Sequence, residues 1–419
     1  MLEQSHPFGA ELRRLRLSAG LTLAQLASSV HYSKGQLSKI ETGLKRPTVE
    51  FARLCDAELN TNGALAALVP ASAPPTRRHV IAVGAASVLS ASLIDQPPPS
   101  ATVQLAPPTA VADQPAQSAD IAGETLIDAS RTLLDQYRRI GQLSAPEVLA
   151  PAVVQQTHAL RSLASQTGSR TGRELLGLAA RFAEYTGWLA QEAGDERAAL
   201  RWTAHAVDLA EASGDRDLAS YALVRRALIT YYRGEAADTV ALAEGASSDR
   251  LPPRIRGLAA QREAQGHALA GDHDACLRGL DRARELLALD TTAPADAPVL
   301  GTTNLSDPVS MITGWCLFDL GRPRAAADAL DRACARLPEH AWRTQARYGV
   351  RRALAYAVAG EIDHACELAG PVLHLASGVR SATVATDLRR LSRTLSRHPR
   401  NRSYLAIAPR LTAILAPAH

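Results

Sequence analysis

Aromatic residues make up only 4% of this 419-residue chain, and lysine is scarcer still, with Lys34, Lys39 and Lys45 supplying all the lysine among 46 basic residues. Apolar residues reach 46%, and Ala and Leu dominate them, so the lack of aromatics shifts the expectation from sheets to helices. A large net charge is also missing. At +4 the chain as a whole is no generic nucleic-acid binder, and any basic surface has to be local. Cys55, Cys276, Cys316, Cys334 and Cys366 include no C-x-x-C pair, which argues against a disulfide framework or a zinc ribbon and fits a reducing cytoplasm. The first residues lack the apolar run of a secretory signal, so a cytoplasmic protein is expected. G-x-S-x-G, H-E-x-x-H, P-loop and G-x-G-x-x-G patterns are missing as well. His267, His273 and Cys276, beside Asp272 and Asp274, match no known ligand spacing. Neither an enzyme, nor a cofactor, nor a metal site is expected.

What is present begins with residues 12–59. Pro7 suits a first helical turn, Leu12 and Leu15 share a face, and Gly20 can end the helix in the left-handed conformation. Thr22 with Gln25 forms a capping-box pattern before a second helix carrying Leu23, Leu26 and Ala27. Ser33 can cap a third helix, Lys34 to Thr42, with Leu37 and Ile40 inward and Lys34, Gln36, Ser38 and Lys39 outward. After Gly43 a basic loop, Lys45-Arg46-Pro47, leads to Thr48 as cap of a fourth helix. A fifth is expected over Leu59 to Val69.

Arg16, Gly20-Leu21-Thr22, Leu26-Ala27, Ser33, Leu37-Ser38-Lys39-Ile40-Glu41, Gly43 and Pro47 together resemble the phage-repressor-like (Cro, XRE-type) helix-turn-helix family, without a gap over these residues. The resemblance implies that the third helix enters the major groove of double-stranded DNA. Carried over by position, Lys34, Gly35 and Ser38 or Lys39 face base edges, while Thr22, Ser33, Thr42, Lys45 and Arg46 hold phosphates, and Gln36 on the same outer face is counted with the DNA-binding residues. It further implies that Arg16 and Glu41 form a structural ion pair. Leu23 stands where the family usually has Gln, and His31 replaces its turn glycine.

Residues 1–69 therefore read as a DNA-binding domain and 70–120 as a Pro/Ala-rich linker. Inside the linker, Arg77-Arg78-His79 precedes a short apolar segment, 80–94. It is similar to a twin-arginine export signal, could form a short membrane span, or could be a helix that packs on the following domain or pairs two subunits. Fifteen residues fall short of the roughly 20 that a span needs, so membrane contact is the disfavoured reading.

From residue 121 to 419 the sequence repeats an apolar helix, a turn glycine and a second amphipathic helix. The glycines are Gly194, Gly234, Gly271, Gly321 and Gly360, spaced 40, 37, 50 and 39 residues apart, and a Pro- and Thr-rich insertion near Leu289 to Ser306 accounts for the longest interval. Helix pairs at such a period build a solenoid. With Trp188 and Trp315 upstream of the glycine, and Ala199, Ala275, Ala325 and Ala365 where helices approach, the pairs resemble tetratricopeptide repeats. A solenoid offers a concave groove, and Tyr185, Trp188, Tyr221, Arg225, Tyr231 and Trp315 are candidates to line it.

The expected fold is all-α: a five-helix head, a flexible linker and an α-solenoid of helix pairs. This combination resembles the signal-responsive transcription regulators of Gram-positive bacteria. It implies a homodimer whose repeat domain senses a peptide, small-molecule or protein effector. A membrane-tethered protein, or a scaffold binding a protein partner, is the alternative.

Overall fold

A computed structural model describes residues 7–69, 116–167, 169–290, 299–301, 305 and 307–416. The apolar segment 80–94, like the rest of 70–115, lies outside them. The fold is all-helical among the described residues.

The head comprises α1 (Pro7–Ser18), α2 (Leu23–Ser29), α3 (Lys34–Glu41), α4 (Val49–Leu59) and α5 (Ala64–Ala67). Phe8, Leu12, Leu26, Leu37, Ile40 and Phe51 form its core, and Tyr32 packs on Phe51 with ring centroids 4.7 Å apart. Helix α1 can cross the end of α3 closely because Gly9 lacks a side chain. A Cβ there would stand 2.5 Å from the Ile40 carbonyl oxygen and 2.7 Å from that of Glu41.

The fifth helix is shorter than expected. Asn60, Asn62 and Gly63 all adopt left-handed φ values of 52°, 47° and 84°, which stop a helix from running on from Leu59. The four-residue α5 restarts where buried Asp56 accepts the backbone N–H groups of Leu65 and Ala66, both at 2.8 Å.

The array begins at Ala116, inside the stretch read as linker. Its pairs are α6 (Ala116–Ile140) with α7 (Pro146–Ala164), α8 (Ser169–Ala193) with α9 (Glu196–Ser213), and α10 (Asp217–Arg233) with α11 (Ala236–Glu244). There follow α12 (Pro253–Ala270) with α13 (His273–Ala288), α14 (Pro308–Asp319) with α15 (Pro323–Cys334), α16 (Trp342–Val358) with α17 (Ile362–Val379), and α18 (Ala382–Leu395) with α19 (Arg402–Leu415). The five turn glycines join the two helices of a pair, with φ between 74° and 85°. Where the helices of a pair approach, the fully buried small residue stands five positions after the glycine, as Ala199, Thr239, Cys276, Ala326 and Ala365. Ala275 and Ala325, expected in that role, are one position early, and Ala325 faces solvent.

The array does not remain an open arc. Arg343, 2% exposed, reaches back across the superhelix to the first pair, donating to the carbonyl oxygens of Gly141 at 2.8 Å and Ser144 at 2.5 Å. The same guanidinium pairs with buried Glu192 at the end of α8 at 2.9 Å and reaches the carbonyl of Val379 at 3.1 Å. Arg347 and Ser381 also bind Glu192. Burial pushes the Glu192 carboxyl up, yet Arg347 and Arg343 together hold it down at about 2. Early and late helix pairs thus meet, and the concave side narrows to a cavity.

Candidate nucleic-acid interface and array cavity

Local chemistry sets the geometry of α2 and α3. Thr22 accepts from the Gln25 N–H at 3.2 Å while the Gln25 side chain accepts from the Thr22 N–H at 2.8 Å, which fixes the start of α2. Ser33 caps α3 by accepting from the Gln36 N–H at 3.2 Å. Leu37 and Ile40 anchor α3 in the core. Its outer face then presents Lys34, Gly35 and Lys39 to solvent, with Gln36 and Ser38 half-buried beside them. Nothing lies within 4 Å of a Cβ built on Gly35, so its lack of a side chain serves no packing inside the chain.

Thr22, Ser33, Thr42, Lys45 and Arg46 are all exposed around this face. Thr42 is the C-cap of α3, and its hydroxyl donates to the Ser38 carbonyl at 2.8 Å. Leu23, half-buried, packs against the head core. Arg16 lies beneath the face. Its Nε and Nη2 hold the two Glu41 carboxylate oxygens at 2.7 and 2.9 Å, and Nη1 donates to the Leu21 carbonyl at 2.8 Å. The pair ties α1 to α3 and is nearly buried, which makes it a scaffold for the exposed face.

The head is docked on the turn loops of the array, a contact that the sequence does not announce. Gly321 lies against the Arg53 backbone, where a Cβ would collide with the carbonyl oxygen. Gly271 meets Gly63 so closely that a Cβ on it would stand 2.5 Å from the Gly63 Cα. Arg53 donates to the Leu269 carbonyl at 3.2 Å and approaches Asp319 at 3.4 Å. Arg397 donates to the Tyr32 hydroxyl at 2.9 Å, and Arg390 faces Glu50 at 3.8 Å. Burial pushes the Glu50 carboxyl up, but the Arg390 charge brings it below its ordinary value. No signal in the sequence exposes this contact, since a turn glycine already required by φ is silent about a second reason for being glycine.

Five of the six groove candidates, Tyr185, Trp188, Tyr221, Arg225 and Trp315, come together around a cavity of about 490 Å³ inside the array. Tyr231 does not line it. It is buried in the neighbouring core, with its hydroxyl on Asp319 and its ring 5.1 Å from that of Trp315. Arginines that sequence reasoning passed over complete the wall, among them Arg138, Arg254, Arg262, Arg343 and Arg347. They lie on helices distant in sequence, so no local motif marks them. The described part of the long insertion is held over the cavity, with Arg138 donating to the Val299 carbonyl at 2.8 Å and Arg254 to that of Leu300 at 2.6 Å.

No curated protein and no solved structure matches the chain. Residues 7–69 do match a family model, described as a helix-turn-helix domain. That match coincides with the compact head whose third helix stands exposed, and it points to a DNA-binding regulator.

Proposed function

We propose that the protein is a sequence-specific transcription regulator whose tetratricopeptide-like array holds the head, pairs two subunits and senses a signal in its cavity. The observation that supports this best is the division of the head into two surfaces. The basic outer face of α3 and the loop of Lys45 and Arg46 are open to solvent, while Arg53, Gly63, Tyr32 and Glu50 are engaged by the array. DNA and array can therefore hold the head at the same time, and the array can set where the reading face points.

The cavity also connects to the docking surface through packed groups. Trp315 on its wall contacts Tyr231, whose hydroxyl binds Asp319, and Asp319 faces Arg53 of the head. A signal that favours one arrangement of this chain of contacts over another would shift the head. In a homodimer it would decide whether two heads fit half-sites one helical turn apart, roughly 34 Å. The reading places the protein in the cytoplasm on the nucleoid, without catalysis or a cofactor. Among the described residues no helix is long and apolar enough to cross a membrane.

Genome-wide occupancy, mapped for the full chain and for one ending at residue 115, tests the reading. Discrete palindromic sites that depend on the array are expected. Failure of the full chain to occupy any discrete site would overturn it.

A further inference from the structure

We propose that the cavity of the array is a binding site for a small polyanion, whose phosphate or carboxylate groups are taken by Arg138, Arg225 and Arg262 and by the indole N–H of Trp315. This gives a chemistry to the signal in the preceding reading, and it rests on that reading only for its regulatory consequence.

Charge balance comes first. Of the arginines on the wall, Arg254 pairs with Asp290 at 2.8 Å and Arg284 with Asp281 at 2.7 Å, while Arg343 and Arg347 share Glu192, and the wall carboxylate Asp307 is taken up in capping Ser310. Arg138 and Arg262 have no carboxylate partner among the described residues. Arg138 donates to a backbone carbonyl, and Arg262 to the side-chain oxygen of Gln265. Arg225 has Glu184 at 3.6 Å, beyond hydrogen-bond length, and that carboxylate also faces the Tyr221 hydroxyl at 3.4 Å. Guanidinium groups stay charged, so an enclosed surplus of them is costly until an anion joins them. Burial, with the like charge of Arg225 beside it, holds the Arg262 pKa below its ordinary value, the direction expected of a cation short of counter-charge.

The unsatisfied polar atoms on this wall agree in sign. Arg225 Nε and Nη2, Arg347 Nε and Trp315 Nε1 are buried without a hydrogen-bond partner. Arg225 is 6% exposed and Trp315 2%. An arginine or indole nitrogen is a donor in every rotamer, so what the wall lacks is acceptors. Phosphate and carboxylate supply several acceptors in a small volume and match guanidinium geometry. At about 490 Å³ the cavity has the size of a small-molecule site. Next to it, sharing Arg284, Leu305 and Asp307 with its wall, a hollow of about 290 Å³ carries Arg332 and Arg336, a positive approach for an anion.

The test uses the full chain and two simple probes, inorganic pyrophosphate and citrate, titrated calorimetrically with tryptophan fluorescence read in parallel. One saturable site per chain is expected. Arg262→Gln and Arg225→Gln should each weaken it about tenfold or more, whereas Arg262→Lys, which keeps the charge and loses the fork, should weaken it less than Arg262→Gln does, and exposed Arg410→Gln should change nothing. The lysine variant guards against a fold lost through substitution. Tighter pyrophosphate binding assigns the site to phosphate compounds, and tighter citrate binding to carboxylates. Binding of neither probe, or equal binding by Arg262→Gln, overturns the proposal while leaving DNA binding by the head intact. Saturable binding that leaves DNA occupancy unchanged upholds the site and overturns the sensing role.

Discussion

His31 and Gly360 meet where the head touches the array: a Cβ on Gly360 would stand 2.7 Å from the His31 Nδ1. His31 itself holds φ at 54°, a conformation costing a non-glycine residue on the order of 1 kcal/mol. A side chain at this turn has a use that glycine could not meet, since it reaches the array. His31→Gly, which keeps the left-handed turn free of strain and removes only the imidazole, should loosen the docking. Amide exchange is then expected to accelerate at Tyr32 and Ser33 and around Arg397, and unchanged exchange there would show that the contact does not hold the head.

Arg16 and Lys39 should separate scaffold from reading. Arg16→Ala leaves the Glu41 carboxylate nearly buried and unpaired, and should cost the head about 3 kcal/mol in urea unfolding of the full chain. Lys39→Ala touches no such pair. Stability should stay within about 0.5 kcal/mol, while preference for the cognate site falls by about 1–3 kcal/mol in competition binding.

Arg46, exposed on the loop after α3, is expected to act on every DNA sequence alike. Arg46→Ala should lower affinity for specific and random duplexes together and reduce the slope of log affinity against log salt by about 1. A loss confined to one sequence would move Arg46 among the base readers.

Acid should loosen the array through Glu192. Its carboxyl sits at about 2 in the folded chain, below the ordinary value of 4.5, so above pH 4.5 its contribution to stability is fully present. As pH falls from about 4.5 to 2 the unfolded chain gains the proton first, and roughly 3 kcal/mol is lost. Glu192→Gln should flatten that part of the pH–stability curve, read by urea midpoints at fixed pH values.

Periodic features were legible in the sequence and three-dimensional coincidences were not. The capping residues Thr22, Ser33 and Thr48 and the five turn glycines act on neighbours within a few positions, so they show in any reading of the chain. Ala325 was misplaced by one residue because alanines fill that stretch of α15 and composition alone does not fix the register. Asn60 and Asn62 broke the expected fifth helix, since asparagine enters the left-handed region without announcing it. Tyr185, Trp188, Tyr221 and Trp315 of the cavity wall follow helical spacing and could be picked out, whereas Tyr348 was missed and Tyr231, with the same spacing, belongs to the neighbouring core. Arg138, Arg262 and Arg347 could not be picked out, because what joins them is the curvature of the whole array. Docking of the head through Gly271 and Gly321 was invisible for a related reason, as each glycine was already explained by its turn.

The reach of Arg343 back to Gly141 and Ser144 changes how this array must fold. An open solenoid can grow and melt from either end, one neighbour at a time. Here the bonds of Arg343 span about two hundred residues of chain, so closing the loop carries an entropic cost that no local repeat can recover. The links of Arg343 to the early pairs form only once the late pairs have been synthesised, and once joined, both ends of the array should unfold together.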